Sequence, residues 1–267
     1  MNTCRLLNRY FTLSIRSQLQ YPASTVMLTF GQLISTSIEI ISIWALFERF
    51  GTLKGWSFGE VAFFYSLLGI SFSIAEFVSR GLEIFGTQFV RTGEFDRLLL
   101  RPRSAVLQLI GHEFRISRFG RLLQASLILI VASQSLQFNW TPYTITLVLW
   151  TIAGGFALFI ALFIFQSALA FWTVEGLEAI NAFTYGGVYA GQFPISLYEH
   201  WLRMFLTFVV PLACVAYYPV LAILGRSDPL GAPDWLLPFT PLAGFIFLAL
   251  ALTIWRHGIS KYTSTGS

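Results

Sequence analysis

Charge is the scarcest property of this chain: Asp, Glu, Lys and Arg make up 11% of its 267 residues, against 55% hydrophobic and 17% aromatic. So little polar surface cannot coat a water-soluble globule, which excludes that class. Cysteine is nearly absent. Cys4 precedes the first apolar run and Cys214 lies inside a later one, so neither a disulfide framework nor a thiolate metal cluster is expected. There are three histidines. His112-Glu113-Phe114-Arg115-Ile116 opens like a zinc-protease helix but carries Ile116 where the second histidine must stand. The two lysines, Lys54 and Lys261, follow Leu53 and Ser260, so no Gly-Lys-Ser/Thr loop exists to cradle a nucleotide's phosphates. A G-x-S-x-G nucleophile elbow is also missing. Met1 to Gln20 has neither the unbroken apolar core nor the small-residue cleavage pattern of a signal peptide. The chain is therefore expected to bind no metal or cofactor itself, and to have no nucleic-acid partner.

What the sequence has is long apolar runs. A helix needs about 20 mostly apolar residues to cross a hydrocarbon core of roughly 30 Å. Six runs of that order lie at 23–47, 58–79, 119–136, 144–172, 202–224 and 237–255. They are continuously apolar rather than alternating, which argues against a β-barrel, and helices satisfy their own backbone in lipid. The expected fold is all-α: one polytopic transmembrane domain over residues 1–267, with six transmembrane helices.

Basic residues concentrate on the cytoplasmic side of membrane proteins. With both termini cytoplasmic, 14 of the 17 Lys and Arg residues fall on that side, Arg203 among them, leaving Arg49, Lys54 and Arg226 outside. Residues 1–20 place Arg5, Arg9 and Arg16 opposite Leu6, Leu7, Tyr10 and Phe11, the pattern of an amphipathic helix in the interface; a merely solvated basic helix is the alternative.

The 80–118 loop, extended to Arg121, holds eight basic and four acidic residues, a net charge equal to the +4 of the whole protein. Leu82, Ile84, Phe85, Phe89 and Val90, then Phe95, Leu98, Leu99 and Leu100, interleave with charges in two amphipathic segments separated by Gly93. Gly93 suits a helix end, Glu94 and Asp96 a helix start, and Pro102 a stop. This elbow either offers Phe85, Phe89 and Phe95 as anchors to a groove on a partner, or rests on lipid headgroups.

Residues 173–200 are less apolar, with Glu175, Glu178, Asn181, Gly186, Gly187, Gly191 and Pro194. They read as a cytoplasmic-side interfacial or broken segment, with a re-entrant element as the alternative. Inside the runs, Glu39 and Gln166 are the polar candidates for a substrate pathway. For Glu39 the competing role is an interhelical hydrogen bond, because a carboxylate at membrane depth must face protein or water. Glu76, near the end of its run, is expected to support the elbow.

Several landmarks together resemble the membrane subunit of ABC-2 type ABC transporters, in a branch where paired permeases accompany a separately encoded ATPase. They are Gly93-Glu-Phe-Asp-Arg-Leu-Leu-Leu-Arg-Pro102, Phe193-Pro194 with Tyr198 and Leu202-Arg203, Val210-Pro211 with Tyr218-Pro219, Leu224-Gly225-Arg226, and Tyr262-x-Ser264-x-Gly266. The resemblance implies an export permease in a bacterial plasma membrane, with a lipid-like, amphipathic or glycan-linked cargo. It also implies two cytoplasmic ATPase subunits holding ATP and Mg, and a second permease that is identical or a homologue. In that family a coupling helix follows the second span. Carried over by position it falls within 82–100, with Phe85, Phe89, Arg91, Glu94, Phe95, Asp96, Arg97 and Arg101 expected to serve ATPase coupling. An intramembrane enzyme, or an anchor subunit without transport of its own, are the readings from other classes.

Overall fold

The computed structural model describes residues 3–173 and 177–263. Glu175, Ser264 and Gly266 lie outside the described residues, as do the side chains of Glu178 and Asn181. The chain opens with α1 (Thr3–Gln18) and α2 (Pro22–Phe50), the latter started by a proline that needs no N–H partner and ended at Gly51 with φ 72°. Helix α3 (Phe58–Val78) begins at a capping box: Ser57 Oγ accepts from Glu60 N, and Glu60 Oε2 accepts from Ser57 N at 2.8 Å. The short α4 (Arg80–Glu83), a π-helical turn (Phe85–Val90), α5 (Glu94–Leu99) and α6 (Ala105–Ile110) form the elbow. Then follow α7 (Phe119–Ser135) and α8 (Pro142–Leu169). Next come α9 (Leu177–Gly191), α10 (His200–Met204), α11 (Leu212–Val215) and α12 (Tyr217–Leu224). The last helix is α13 (Leu242–Lys261). No strand occurs among the described residues.

Helices α3 and α8 form the centre. About three quarters of their apolar windows are buried, whereas only 11% of that of α2 is, so α2 presents most of its apolar surface outward. Aromatic packing joins the central pair: Phe72 meets Phe159 with ring centroids 4.9 Å apart. Small residues let the backbones approach. A Cβ on Gly155 would lie 2.6 Å from Ser71 Oγ, and one on Gly244 would lie 2.1 Å from Gly154 O, which brings α13 against α8.

The fifth expected span is corrected. At Val210–Pro211 the run over His200–Val209 and Leu212–Leu224 bends by 71°. Pro211 has no N–H to continue the ladder, and a π-helical turn (Phe205–Val209) precedes it. Both ends of the bent run meet one loop. Ahead of it, Trp56 Nε1 donates to Ser196 Oγ at 3.0 Å and Lys54 Nζ to Leu197 O at 3.4 Å. Behind it, Arg226 donates to Gly55 O, pairs with Glu60 at 2.8 Å and covers the Trp56 ring. The run therefore enters and leaves by one face, as a shallow V.

The fifth crossing is made by the stretch read as interfacial. Along α9, Tyr185 packs on Phe72, Gly191 lies against Leu68, and Ser196 reaches Trp56, so the chain climbs α3 from one end to the other. Its start is at the elbow, where Phe171 packs on Phe85. Since α3 has 21 residues, that climb is about 30 Å. The described residues thus give six crossings, α2, α3, α7, α8, α9 and α13, plus the V. Arg203, in the V, moves to the face opposite the elbow, and thirteen of the 17 basic residues remain on the elbow's face.

Candidate functional site

The elbow is built around buried rings. Leu82, Phe85, Phe95 and Leu109 are fully buried. Phe85 lies edge-on to Phe95 at 4.9 Å, and both contact Phe171, at the end of α8, and Trp255 of α13. Backbone contacts are as close: a Cβ on Gly81 would sit 2.2 Å from Leu109 O, so α4 and α6 touch main chain to main chain. Ser167 Oγ donates to Leu82 O at 2.7 Å, and Gln108 Nε2 to Leu98 O at 3.1 Å. These contacts tie the elbow to α8 and α13, and the same buried cluster takes in Phe72 and Ala75 of α3.

The expected aromatic anchors are therefore turned inward. Phe85 and Phe95 have no exposed surface and Phe89, at 5%, packs on His112. Burying these rings in the chain's own core removes more apolar surface from water than presenting them would. Gly93, at φ 74°, reverses the chain so that α5 lays Phe95 and Leu98 onto that core. What faces out is Thr87, Gln88, Arg91, Thr92, Glu94, Arg97, Leu99, Leu100 and the Arg101–Ser104 turn. Leu100 is 85% exposed between arginines. Asp96 is half-buried and faces Tyr262, whose hydroxyl is raised above the ordinary tyrosine range first by burial and then by that carboxylate. The coupling candidates thus divide: Arg91, Glu94, Arg97 and Arg101 outside, the three phenylalanines inside, and Asp96 at the C-terminal contact. Thr87, Gln88 and Arg103 were not singled out from the sequence, and Leu100, read there with the apolar side of the second segment, stands just past α5 with its side chain outward.

Beneath the elbow lies a buried ion cluster. Glu76 is 1% exposed and meets Arg118 at 2.8 Å and Arg121 at 3.5 Å; Arg118 also donates to Gln32 Oε1 at 3.0 Å, and Arg121 covers the Phe72 ring. One turn on, Arg80 pairs with Glu83 at 3.3 Å. The cluster ties α2, α3 and α7 to the elbow's root. Helix α1 is clamped there too: Ser14 Oγ exchanges hydrogen bonds with Phe114 N and O, and Phe11 packs on Phe77 and Phe114. The apolar side of the basic N-terminal helix thus meets protein at these residues.

Glu39 sits at a junction of four helices. Tyr65 OH lies 3.3 Å from Glu39 Oε2, and Tyr189 OH donates to Oε1 at 3.4 Å. Gln124 Nε2 donates to Tyr65 OH and to Thr36 O, both at 3.1 Å. Tyr189 is 52% exposed, so the carboxylate is reachable from an open flank of α9. Gln166 is 3% exposed and precedes the Ser167 that bonds the elbow, so it belongs to the elbow's end rather than to the level of Glu39. Among the described residues no group of three His, Cys, Asp or Glu side chains comes close enough to hold a metal ion.

Six crossings, a shallow V and a charged elbow on a buried aromatic core describe a multi-pass helical membrane protein. The family model for the ABC-2 family transporter protein matches residues 33–266, and the chain belongs to that family. No curated protein and no solved structure matches it.

Proposed function

We propose that this chain is the membrane subunit of an ATP-driven exporter, and that the exposed face of its elbow is the docking surface for a separate ATPase subunit. The carrying observation is the elbow's construction: an outward surface of Arg91, Glu94, Arg97, Leu100 and Arg101 on a closed aromatic core shared with α3, α8 and α13. A force applied to such a surface reaches three crossings at once, because packed cores move as bodies rather than deform. Two ATPase subunits, each with ATP and Mg, would act on two permeases, this chain and an identical or homologous one. ATP binding would favour one permease arrangement through differential contacts at the elbow. The excess of arginine on the elbow's face supports a cytoplasmic elbow and cytoplasmic termini, and a bacterial plasma membrane is what the family resemblance implies. The open flank beside Glu39 and Tyr189, and apolar cavities such as the one of about 310 Å³ between α9 and the V, support a lipid-like or amphipathic cargo.

The test is co-purification of an ATPase with the tagged chain in mild detergent, with hydrolysis assayed in the eluate. Leu100→Asp and Arg97→Glu are expected to lose the ATPase while leaving the melting temperature of the permease unchanged. An ATPase retained at full activity by both variants would remove the elbow from the interface. An intramembrane enzyme would instead turn over substrate with no ATPase present.

A further inference from the structure

A polar cavity of about 520 Å³ opens where α1, α2 and the segment before α7 meet, at the elbow's end of the bundle. Ser17 lines it from α1, Ser24, Thr25 and Gln32 from α2, and Glu113, Ser117 and two arginines from the segment before α7. Its walls differ from the apolar cavities between the helices elsewhere.

The charge inside is unbalanced. Arg118 uses Nη2 on Glu76 and Nη1 on Gln32, and its Nε is a buried donor without a hydrogen-bond partner. Glu113 lies 3.9 Å from Arg80, and Glu83 is also paired with Arg80. Arg115 is partly buried and makes no ion pair among the described residues, although its backbone is fixed by Arg115 N donating to Phe77 O. Burial, and then the charge of Arg80, hold its guanidinium below the ordinary arginine range against the opposing pull of Glu83 and Glu113, and among the described residues no carboxylate lies within ion-pair distance of it. The hydroxyls of Ser17, Ser24 and Ser117 and the Arg115 guanidinium line one polar cavity beside the start of a membrane-crossing helix, and these are donor types that phosphate oxygens accept from.

We propose that this cavity binds a phosphate group carrying a single negative charge, supplied by the headgroup of an anionic phospholipid in the leaflet at the elbow's side. The acyl chains would run beside the exposed apolar surface of α2, where Val26, Met27 and Phe30 follow Ser24 outward. Headgroup binding would brace α1 and α2 against the segment that anchors the elbow. The inference depends on neither the ATPase nor the cargo.

The experiment uses the full chain purified in a neutral detergent, delipidated, and melted with short-chain phosphatidylglycerol, short-chain phosphatidylcholine or sodium phosphate at matched concentration. Phosphatidylglycerol is expected to raise the melting temperature in a saturable way and phosphatidylcholine much less. Arg115→Gln should weaken the phosphatidylglycerol effect about tenfold in apparent affinity, the order expected for losing one charge-assisted contact. Ser24→Leu, which fills the cavity without changing charge, should weaken it too, so that a folding defect peculiar to Arg115→Gln does not decide the result. A saturable shift with sodium phosphate that both variants lose would keep the phosphate site and assign its ligand to solution. Equal responses to phosphatidylglycerol in wild type and both variants, or equal responses to the two lipids, would overturn the proposal.

Discussion

Replacing Glu76 by glutamine tests the ion cluster that roots the elbow. The carboxylate is 1% exposed, and its partners Arg118 and Arg121 are only 16% and 14% exposed, with N···O distances of 2.8 and 3.5 Å. Glutamine keeps the shape but removes the charge, leaving two poorly solvated guanidinium groups beside each other. Breaking a buried pair from one side costs roughly 3–5 kcal/mol, chiefly through the charge left behind. At about 2–4 °C per kcal/mol for a domain of roughly this size, the melting temperature should fall by roughly 6–20 °C. The assay is a thermal scan of the detergent-purified chain at one fixed rate, since unfolding of such proteins is often irreversible. A second variant separates lost attraction from stranded charge: Glu76→Gln with Arg118→Gln and Arg121→Met leaves no charge in the cluster, and methionine retains an apolar stem over Phe72. That triple variant should recover most of the loss. A fall of less than about 3 °C in Glu76→Gln, an order set by the same conversion, or a triple variant as unstable as the single one, would refute stranded charge as the cause.

Further perturbations address the elbow and the topology. Gly81→Ala places a Cβ 2.2 Å from Leu109 O, against the 3.4 Å at which ordinary contact begins, so α4 and α6 must part; a loss of about 1–3 kcal/mol is expected in the same scan. Phe85→Ala, which empties a fully buried ring site, should cost about 3–5 kcal/mol, whereas Leu100→Ala at 85% exposure should cost almost nothing. The V predicts that His200→Cys and Ser227→Cys, in a chain freed of Cys4 and Cys214, are labelled from the same side of sealed vesicles by a membrane-impermeant maleimide. Labelling from opposite sides would make His200–Leu224 a true span.

Much of this molecule is legible without coordinates, because membrane insertion is decided by length and apolarity. The runs at 58–79, 119–136 and 144–172 became α3, α7 and α8 within a few residues. Only about a turn's extent separates the first run from α2. The charged loop also stood out, since arginine at such density cannot lie in lipid. Two landmarks failed for definable reasons. Hydropathy counts apolar residues but has no direction, so the run at 202–224 looks the same whether it crosses or turns back at Pro211. Residues 177–191 look too polar and glycine-rich to cross, yet the chain crosses there, because α9 runs against α3, α8 and the V and Gly187 and Gly191 permit close contact with Leu212 and Leu68.

The sequence by itself determined a multi-pass helical protein, the face on which its arginines gather, and a helical elbow broken at Gly93. An amphipathic segment announces that one side is apolar but not which surface will cover it. Tertiary structure alone turned Phe85, Phe89 and Phe95 into the chain's own core and left Arg91, Arg97, Leu100 and Arg101 outside. It also brought Glu76 between Arg118 and Arg121, residues about forty positions apart in sequence. Burying rings in a core already formed by α3, α8 and α13 gains apolar contact on every side, and a buried carboxylate is tolerable only where guanidinium groups meet it, conditions that exist only once the helices have packed.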